Sequence, residues 1–316
     1  EKPKYSFGFR GRMDERPDCS RTVIDGKYVY IRNFMPHLPH GQVLHYQMET
    51  QTTRLWRRLY RQGKLNKIQS AFWERKSPEE LYDLSADPHE TKNLAADPAL
   101  RNQLLAMREA LYRNLAETFD VALLPEGMFH DAAEKHNLTP AELTRWPELY
   151  PIKEIRKAAD LLLDSNPTPE RIASMLKAKL PAQRYWAALA CLYLSKNVTE
   201  SLHDQISSLF QDPSRSVQIA AAEVIVSQSA NQSAVARALD VLLTNSNPVT
   251  SSAYHAVAAL NALDHQPQSV LEPLKERILK LPTRDPSVPG RPNGYASRMH
   301  QHISSPVPDY FKWEKK

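Results

Sequence analysis

Three stretches in the second half of the chain, "LPAQRYWAALACL", "DPSRSVQIAAAEVI" and "NPVTSSAYHAVAAL", each place a proline ahead of a helical run with a cluster of alanines in its middle. Their prolines, Pro181, Pro213 and Pro248, are spaced by 32 and 35 residues. Proline suits a helix start because the N–H it lacks has no intrahelical partner there. Small residues in the middle let neighbouring helices stack closely. A repeat of this length marks supersecondary units that bury their apolar faces against one another. Residues 151–280 are therefore expected to form a short α-solenoid of about three to four helix pairs. Tyr185 and Trp186 read as packing between repeats rather than as a ligand box.

The first part of the chain follows a different pattern. In "RTVIDGKYVYIRN", residues 21–33, two β-rich runs flank Asp25-Gly26, a pair that tolerates the positive φ values of a two-residue I′ turn. Tyr28, Tyr30 and Arg32 alternate with Val29 and Ile31, which predicts one buried face. A lone hairpin is only marginally stable, so a third strand is expected at Glu80–Leu84. Between them, Arg54, Arg57, Arg58 and Arg61 recur at helical spacing opposite Leu55 and Leu59. This describes a basic amphipathic helix ended near Gly63, either a solvated face or a surface attracted to a polyanion or an acidic neighbour.

Helix starts then multiply. Asp97-Pro98 supplies an N-cap followed by proline, with the helix expected to run to about Thr118. Thr139-Pro140-Ala141-Glu142 has the capping-box spacing, and Thr168-Pro169 repeats the start signal. From Leu281 the chain is rich in Pro, Gly and Ser, which predicts an extended arm draped on the protein through Tyr310, Phe311 and Trp313.

Composition narrows the chemistry. The 316 residues include only 8 glycines against 24 prolines, and neither GxGxxG nor GxxxxGK[ST] occurs, which disfavours a phosphate-cradling enzyme. Cys19 and Cys191 lie far apart with no CxxC partner, so a zinc ribbon or redox motif is ruled out and a single disulfide stays open. Basic residues outnumber acidic ones by sixteen to seven in residues 1–76, and acidic outnumber basic by fourteen to six in residues 77–150. That asymmetry suggests two parts that face each other rather than a nucleic-acid tail. With no run of 18 apolar residues and no apolar leader after Glu1, neither nucleic acid nor a membrane is an expected partner, and the chain reads as a piece of something longer. His37, His40 and His45 do not make a metal site, because Pro36 and Pro39 forbid the helix that would align them. His300 and His302 lack a third ligand nearby. Glu79, Glu80 and Asp83 lie close together, but nothing in the sequence gives them a shared pocket.

"ELYDLSADPHETKNLAADP", from Glu80 to Pro98, reads as a strand, a turn at Asp87-Pro88, a helical turn over 90–94, and a capped helix start. It resembles the C-terminal subdomain of the sulfatase family, and "RMDERPDCSRTVIDGKYVYIRNFMPHLP" is similar to the earlier part of that subdomain. The resemblance covers roughly residues 5–125, and the helical part beyond resembles HEAT repeats. It implies an α+β fold: a small antiparallel sheet subdomain with helices (1–125), a linker (126–150), an all-α HEAT-like solenoid (151–280) and an extended C-terminal arm (281–316).

The family hydrolyses sulfate esters or sulfamates with a formylglycine made from Cys or Ser in C/S-x-P-x-R, beside a calcium ion. Its large N-terminal domain carries both, so the resemblance implies that this stretch binds neither calcium nor formylglycine and has no catalytic or metal-ligating residue of its own. Ser287-Val-Pro-Gly-Arg291 matches the motif formally but lies at the wrong end, and Cys19-Ser20-Arg21 lacks the proline. The subdomain lends residues to the rim of the substrate cleft, and Arg12, Asp14, His37, His40 and Gln42 are the candidates, with a sulfated small molecule or glycan as the partner. A periplasmic or extracellular location follows from the same resemblance. The competing reading is a non-catalytic α-solenoid module that binds an acidic partner or polyanion.

Overall fold

The computed structural model of the chain describes residues 3–163, 167–287 and 291–304, the side chains of 291 and 292 excepted. The fold is α+β, in two units that divide between Ala122 and Leu123. No helix among the described residues is long and apolar enough to cross a membrane.

The first unit is built on a four-stranded antiparallel sheet of β1 (Ser6–Arg10), β2 (Ser20–Ile24), β3 (Tyr28–Asn33) and β4 (Glu79–Asp83), in the order β1-β2-β3-β4. The β2–β3 turn forms where Asp25-Gly26 predicts it, but not as type I′. Only Gly26 takes a positive φ, +94°, whereas I′ needs two such residues. The Asp25 carboxylate closes the turn instead, accepting from the backbone N–H of Lys27 at 3.0 Å and of Tyr28 at 2.7 Å. The expected third strand is present one residue earlier, as β4. The strand β1 had its period-2 signal in Tyr5, Phe7 and Phe9, but these side chains stay largely outside, with Phe9 82% exposed.

Burial of β3 also differs from the one-sided expectation. Tyr30 and Arg32 are fully buried while Val29 is buried as well, so both faces are covered. Arg32 is tolerated because its Nη1 donates to the carbonyls of Asn33 and Pro78 at 2.7 and 3.0 Å, and its guanidinium lies 4.5 Å from the Phe34 ring centre.

The excursion between β3 and β4 carries helix α1 (Gln51–Arg61), which ends where Gly63 takes a φ of +64°. Its faces are not those the spacing predicts. Arg54 is buried, donating from Nη1 to the Met48 carbonyl at 3.1 Å, and Leu55 is exposed. The inward side is set by rings: Trp56 stacks on Phe72 at 4.6 Å, and Trp73 meets both edge-on.

After β4 the chain folds back along the sheet edge. Asn93 accepts from Leu81 N–H at 3.0 Å and donates to the Glu79 carbonyl at 3.0 Å, and Leu94 N–H bonds the Leu81 carbonyl. An otherwise open strand edge is thereby covered. The helical turn expected over 90–94 does not form; Glu90 takes a φ of +52° and the Asp87 carboxylate gathers the N–H groups of Thr91 and Lys92. Asp97 caps as predicted, through one 3₁₀ turn at Pro98–Leu100 that leads into α2 (Arg101–Glu117). Leu104, Met107, Leu111 and Leu115 form the buried stripe of α2, which packs on β2 and β3. Arg108 holds both oxygens of Glu79 at 2.7 and 2.6 Å, and Arg21 holds Asp120 at 2.6 and 2.8 Å.

The second unit is helical. It opens with α3 (Glu126–His136), ended by Asn137 in the left-handed region, and with Pro140–Leu143, where the Thr139–Glu142 capping box is formed. Met128, Ala133 and Leu143 are buried, so residues 126–150, expected as a linker, contribute to this unit's core. Next come α4 (Pro181–Tyr193), α5 (Arg215–Gln228), α6 (Gln232–Asn245) and α7 (Ala253–Asp264). The three prolines act differently. Pro181 is the first residue of α4, Pro213 precedes Ser214, the cap position before α5, and Pro248 opens a single turn that breaks at Ser252, φ +73°, before α7.

Helix α5 packs against α4, α6 and α7 and is buried on nearly every side, with Ala220, Ala221 and Ala222 at 2% exposure or less. Trp186 is buried edge-on to Tyr185, with its indole N–H bonded at 2.8 Å to the carbonyl of Leu123, outside the stretch expected to hold the repeats. The Pro/Gly/Ser-rich stretch read as an extended arm instead contains α8 (Arg291–Ser304), which lies on α7 and buries Tyr295, Ala296, Met299 and Ile303. Its apolar residues are few but fall on one face. Tyr310, Phe311 and Trp313 lie outside the described residues.

Candidate functional site

The hairpin positions a cluster of buried polar groups that ties two loops together. Asn33, the last residue of β3, donates from Nδ2 to the Ser77 carbonyl at 2.9 Å and to Glu80 Oε1 at 2.7 Å, and its Oδ1 accepts from Ser20 Oγ at 2.7 Å. The other Glu80 oxygen accepts from Tyr82 OH at 2.8 Å, two residues along the same face of β4. His40 Nε2 lies 3.7 Å from Glu80 Oε1, at ion-pair distance. Burial would raise the Glu80 pKa, but the interactions with His40, Tyr82 and Asn33 outweigh it and hold the carboxyl below its ordinary value.

Alongside, Asp18 and Lys76 form a fully buried ion pair at 2.5 Å, their side chains 1% and 0% exposed. Burial lowers the Lys76 pKa against the opposing pull of Asp18. Asp18 also accepts from Cys19 N–H at 2.8 Å and has Arg10 Nε 3.3 Å from its second oxygen. Arg10 reaches the His40 carbonyl at 3.2 Å, Arg16 the Val43 carbonyl at 2.7 Å, and Gln42 the Pro17 carbonyl at 2.8 Å. Glu15 accepts from His45 N–H at 2.6 Å. The loop before β2 and the loop after β3 are thus fastened at several points, which fixes the geometry of both.

The five candidate residues fall within these two loops. His40 and Gln42 belong to the fastened segment; Gln42 is buried, so it acts as a tie, and His40 is half-buried against Glu80. Asp14 sits in the Met13–Arg16 turn with a φ of +45°, and Arg12, just before the turn, donates from Nη1 to the Asp14 carbonyl. His37 is half-buried on the second loop. Sequence reasoning missed Asp18, Lys76, Asn33 and Glu80. Asp18 and Lys76 are 58 residues apart, and no local pattern marks their pairing.

The cysteines do not fit a formylglycine precursor. Cys19 is buried, its thiol pushed up to about 11 by burial, and Arg21 two residues on is spent on Asp120. Cys191 is buried too, with its thiol pushed up to about 12, and both cysteines are free. No group of three His, Cys, Asp or Glu among the described residues converges as a metal site.

The second unit contains a Ser–His–Asp arrangement that fails as an activated nucleophile. Ser252 Oγ lies 3.0 Å from His255 Nδ1, and Asp131 lies 3.4 Å from Nε2. Nδ1 is also 2.8 Å from the Ser251 carbonyl, which can only accept, so this nitrogen carries a proton and cannot take one from Ser252. Gly127 explains the close packing there: a Cβ at that position would stand 2.4 Å from His255 Nε2.

No family model matches the chain. A stretch of 123 residues is 38% identical to a protein of Formosa agariphila named as an ulvan-active sulfatase. That stretch is 39% of this chain and 21% of the relative, so the chain spans about a fifth of the relative's length. Part of the chain is therefore similar to part of a sulfatase.

Proposed function

We propose that the chain is the C-terminal part of a sulfatase that hydrolyses sulfate esters or sulfamates. The observation that carries this reading is the 38% identity over 123 residues to a protein named as a sulfatase. In this reading residues 1–125 are the sulfatase C-terminal subdomain, and Arg12, Asp14, His37 and His40 stand on the rim of the cleft, held by the buried cluster. Residues 151–280 form a HEAT-like solenoid. The nucleophile and calcium belong to a catalytic domain outside this sequence, and the location is periplasmic or extracellular. The guanidinium of Arg12 and the imidazole of His40, as hydrogen-bond donors, suit the anionic groups of a sulfated glycan.

The test is turnover of an aryl sulfate. The 316-residue chain alone is expected to be inactive, and a longer natural protein that carries a C/S-x-P-x-R motif upstream is expected to be active. In that longer protein Arg12→Ala or His40→Ala should raise KM for the sulfated glycan roughly tenfold, about 1.4 kcal/mol, with kcat for a small aryl sulfate unchanged. Turnover by the 316-residue chain itself would overturn the reading.

A further inference from the structure

From the second half of α1, through the turn at Gly63, to the start of the short helix Lys67–Ser70, four cations are exposed, Arg58, Arg61, Lys64 and Lys67, while Arg57 is half-buried. None of the four has a carboxylate at ion-pair distance among the described residues. Some exposed cations elsewhere are paired, Lys157 with Glu154, Lys275 with Glu272 and Arg277 with Asp240, while others, such as Lys92, Arg101 and Lys153, stand singly among the described residues. What sets these four apart is their grouping in a stretch without acids, since no Asp or Glu occurs between Glu49 and Glu74. Arg54, which the spacing places in the same basic face, is turned inward and is not part of it.

We propose that Arg58, Arg61, Lys64 and Lys67 form a binding surface for a sulfated polysaccharide chain, separate from the cluster around Asp18 and Glu80. Four unneutralised charges over ten residues attract a linear polyanion, which gains from counterion release. A sulfated polysaccharide is favoured over single-stranded nucleic acid because the neighbouring rings are already engaged. Trp56 is stacked on Phe72, with Trp73 edge-on to both, which leaves these rings spent on one another rather than offered to bases. The choice of a sulfated polymer rests on the sulfatase reading, in which such a chain is the substrate, and the surface would hold the polymer while other parts of it are processed.

The experiment measures binding of dextran sulfate, neutral dextran, duplex DNA, single-stranded DNA and anionic phospholipid vesicles to the purified chain over 50–200 mM salt. Dextran sulfate is expected to bind and neutral dextran not to. With four contacts and a slope of about 0.7–0.9 per charge, affinity should fall roughly 50- to 150-fold across that range. The variant Arg58→Gln/Arg61→Gln/Lys64→Gln/Lys67→Gln should lose binding and most of the salt dependence. Because all four side chains are exposed, its circular dichroism and melting should match the wild type. Unchanged binding by the variant overturns the surface, and tighter binding of DNA or vesicles than of dextran sulfate overturns the choice of partner. These outcomes are independent of aryl sulfate turnover by the longer protein. Binding here without sulfatase activity there would leave the surface standing and remove the substrate reading.

Discussion

The two units fill their interiors by different means. In the sheet unit charged and hydrogen-bonding groups are buried among the apolar ones: Arg32, Asn33, Lys76, Asp18 and Glu80 lie inside with Val23, Tyr30, Leu81 and Met107. In the helical unit alanines take a large share of the interior beside the larger aliphatics, with Ala187, Ala188, Ala221, Ala222, Ala238 and Ala259 at no measurable exposure. The first interior depends on every polar group finding its partner, since an orphaned charge in low dielectric is costly. The second depends on volume, since helices in close contact have no space to yield. A polar interior fastens loops into one geometry; an alanine-rich one brings helix axes together.

The sharpest way to break the comparison is to remove one half of the buried ion pair. Lys76→Ala should destabilise the sheet unit by about 3–5 kcal/mol, read by urea denaturation with a probe in that unit. The double replacement Asp18→Leu/Lys76→Met should recover much of the loss, since no uncompensated charge then remains.

Glu80→Gln comes next. It weakens hydrogen bonds that involve a charged carboxylate, each worth about 1.5–3 kcal/mol at neutral pH. The folded carboxyl holds its proton less tightly than the unfolded one, so its contribution is complete above the ordinary value of 4.5 and is lost as pH falls through the lower folded value. Stability curves of wild type and variant should therefore converge in acid. Parallel curves down to pH 3 would remove Glu80 from that account.

The helical unit should respond to volume instead. Ala188→Leu, at a site with no exposure, is expected to cost about 1–3 kcal/mol by overpacking, measured by urea denaturation. The smallest effect is at a cap. Asn231 accepts from Ala234 N–H at 3.1 Å at the start of α6, and Asn231→Ala should cost about 1 kcal/mol, measured by thermal melting.

Local signals were the legible part of this chain. Asp25-Gly26, Asp97-Pro98 and Thr139 to Glu142 each announced a turn or a helix start through chemistry confined to a few residues. Helix α1 was legible as a helix but not in orientation, because its periodicity could not weigh the pull of the Trp73 rings against that of Leu55. Helix α8 was hidden by prolines and glycine flanking four apolar residues on one face. For the candidate site, the loop after the hairpin could be read as a place for variable residues, which located His40 and Gln42. The groups that hold it, Asp18 with Lys76 and Asn33 with Glu80, meet over 58 and 47 residues, and only the folded sheet brings them together.

Each unit contains one free, buried cysteine, Cys19 in the first and Cys191 in the second. Burial keeps both thiols protonated and out of reach in the folded chain. A pulse of alkylating reagent can therefore mark only molecules in which that unit has opened. Peptide mapping of the label would then give two independent opening clocks from the unmodified chain, one for an interior held by charge and one for an interior held by fit.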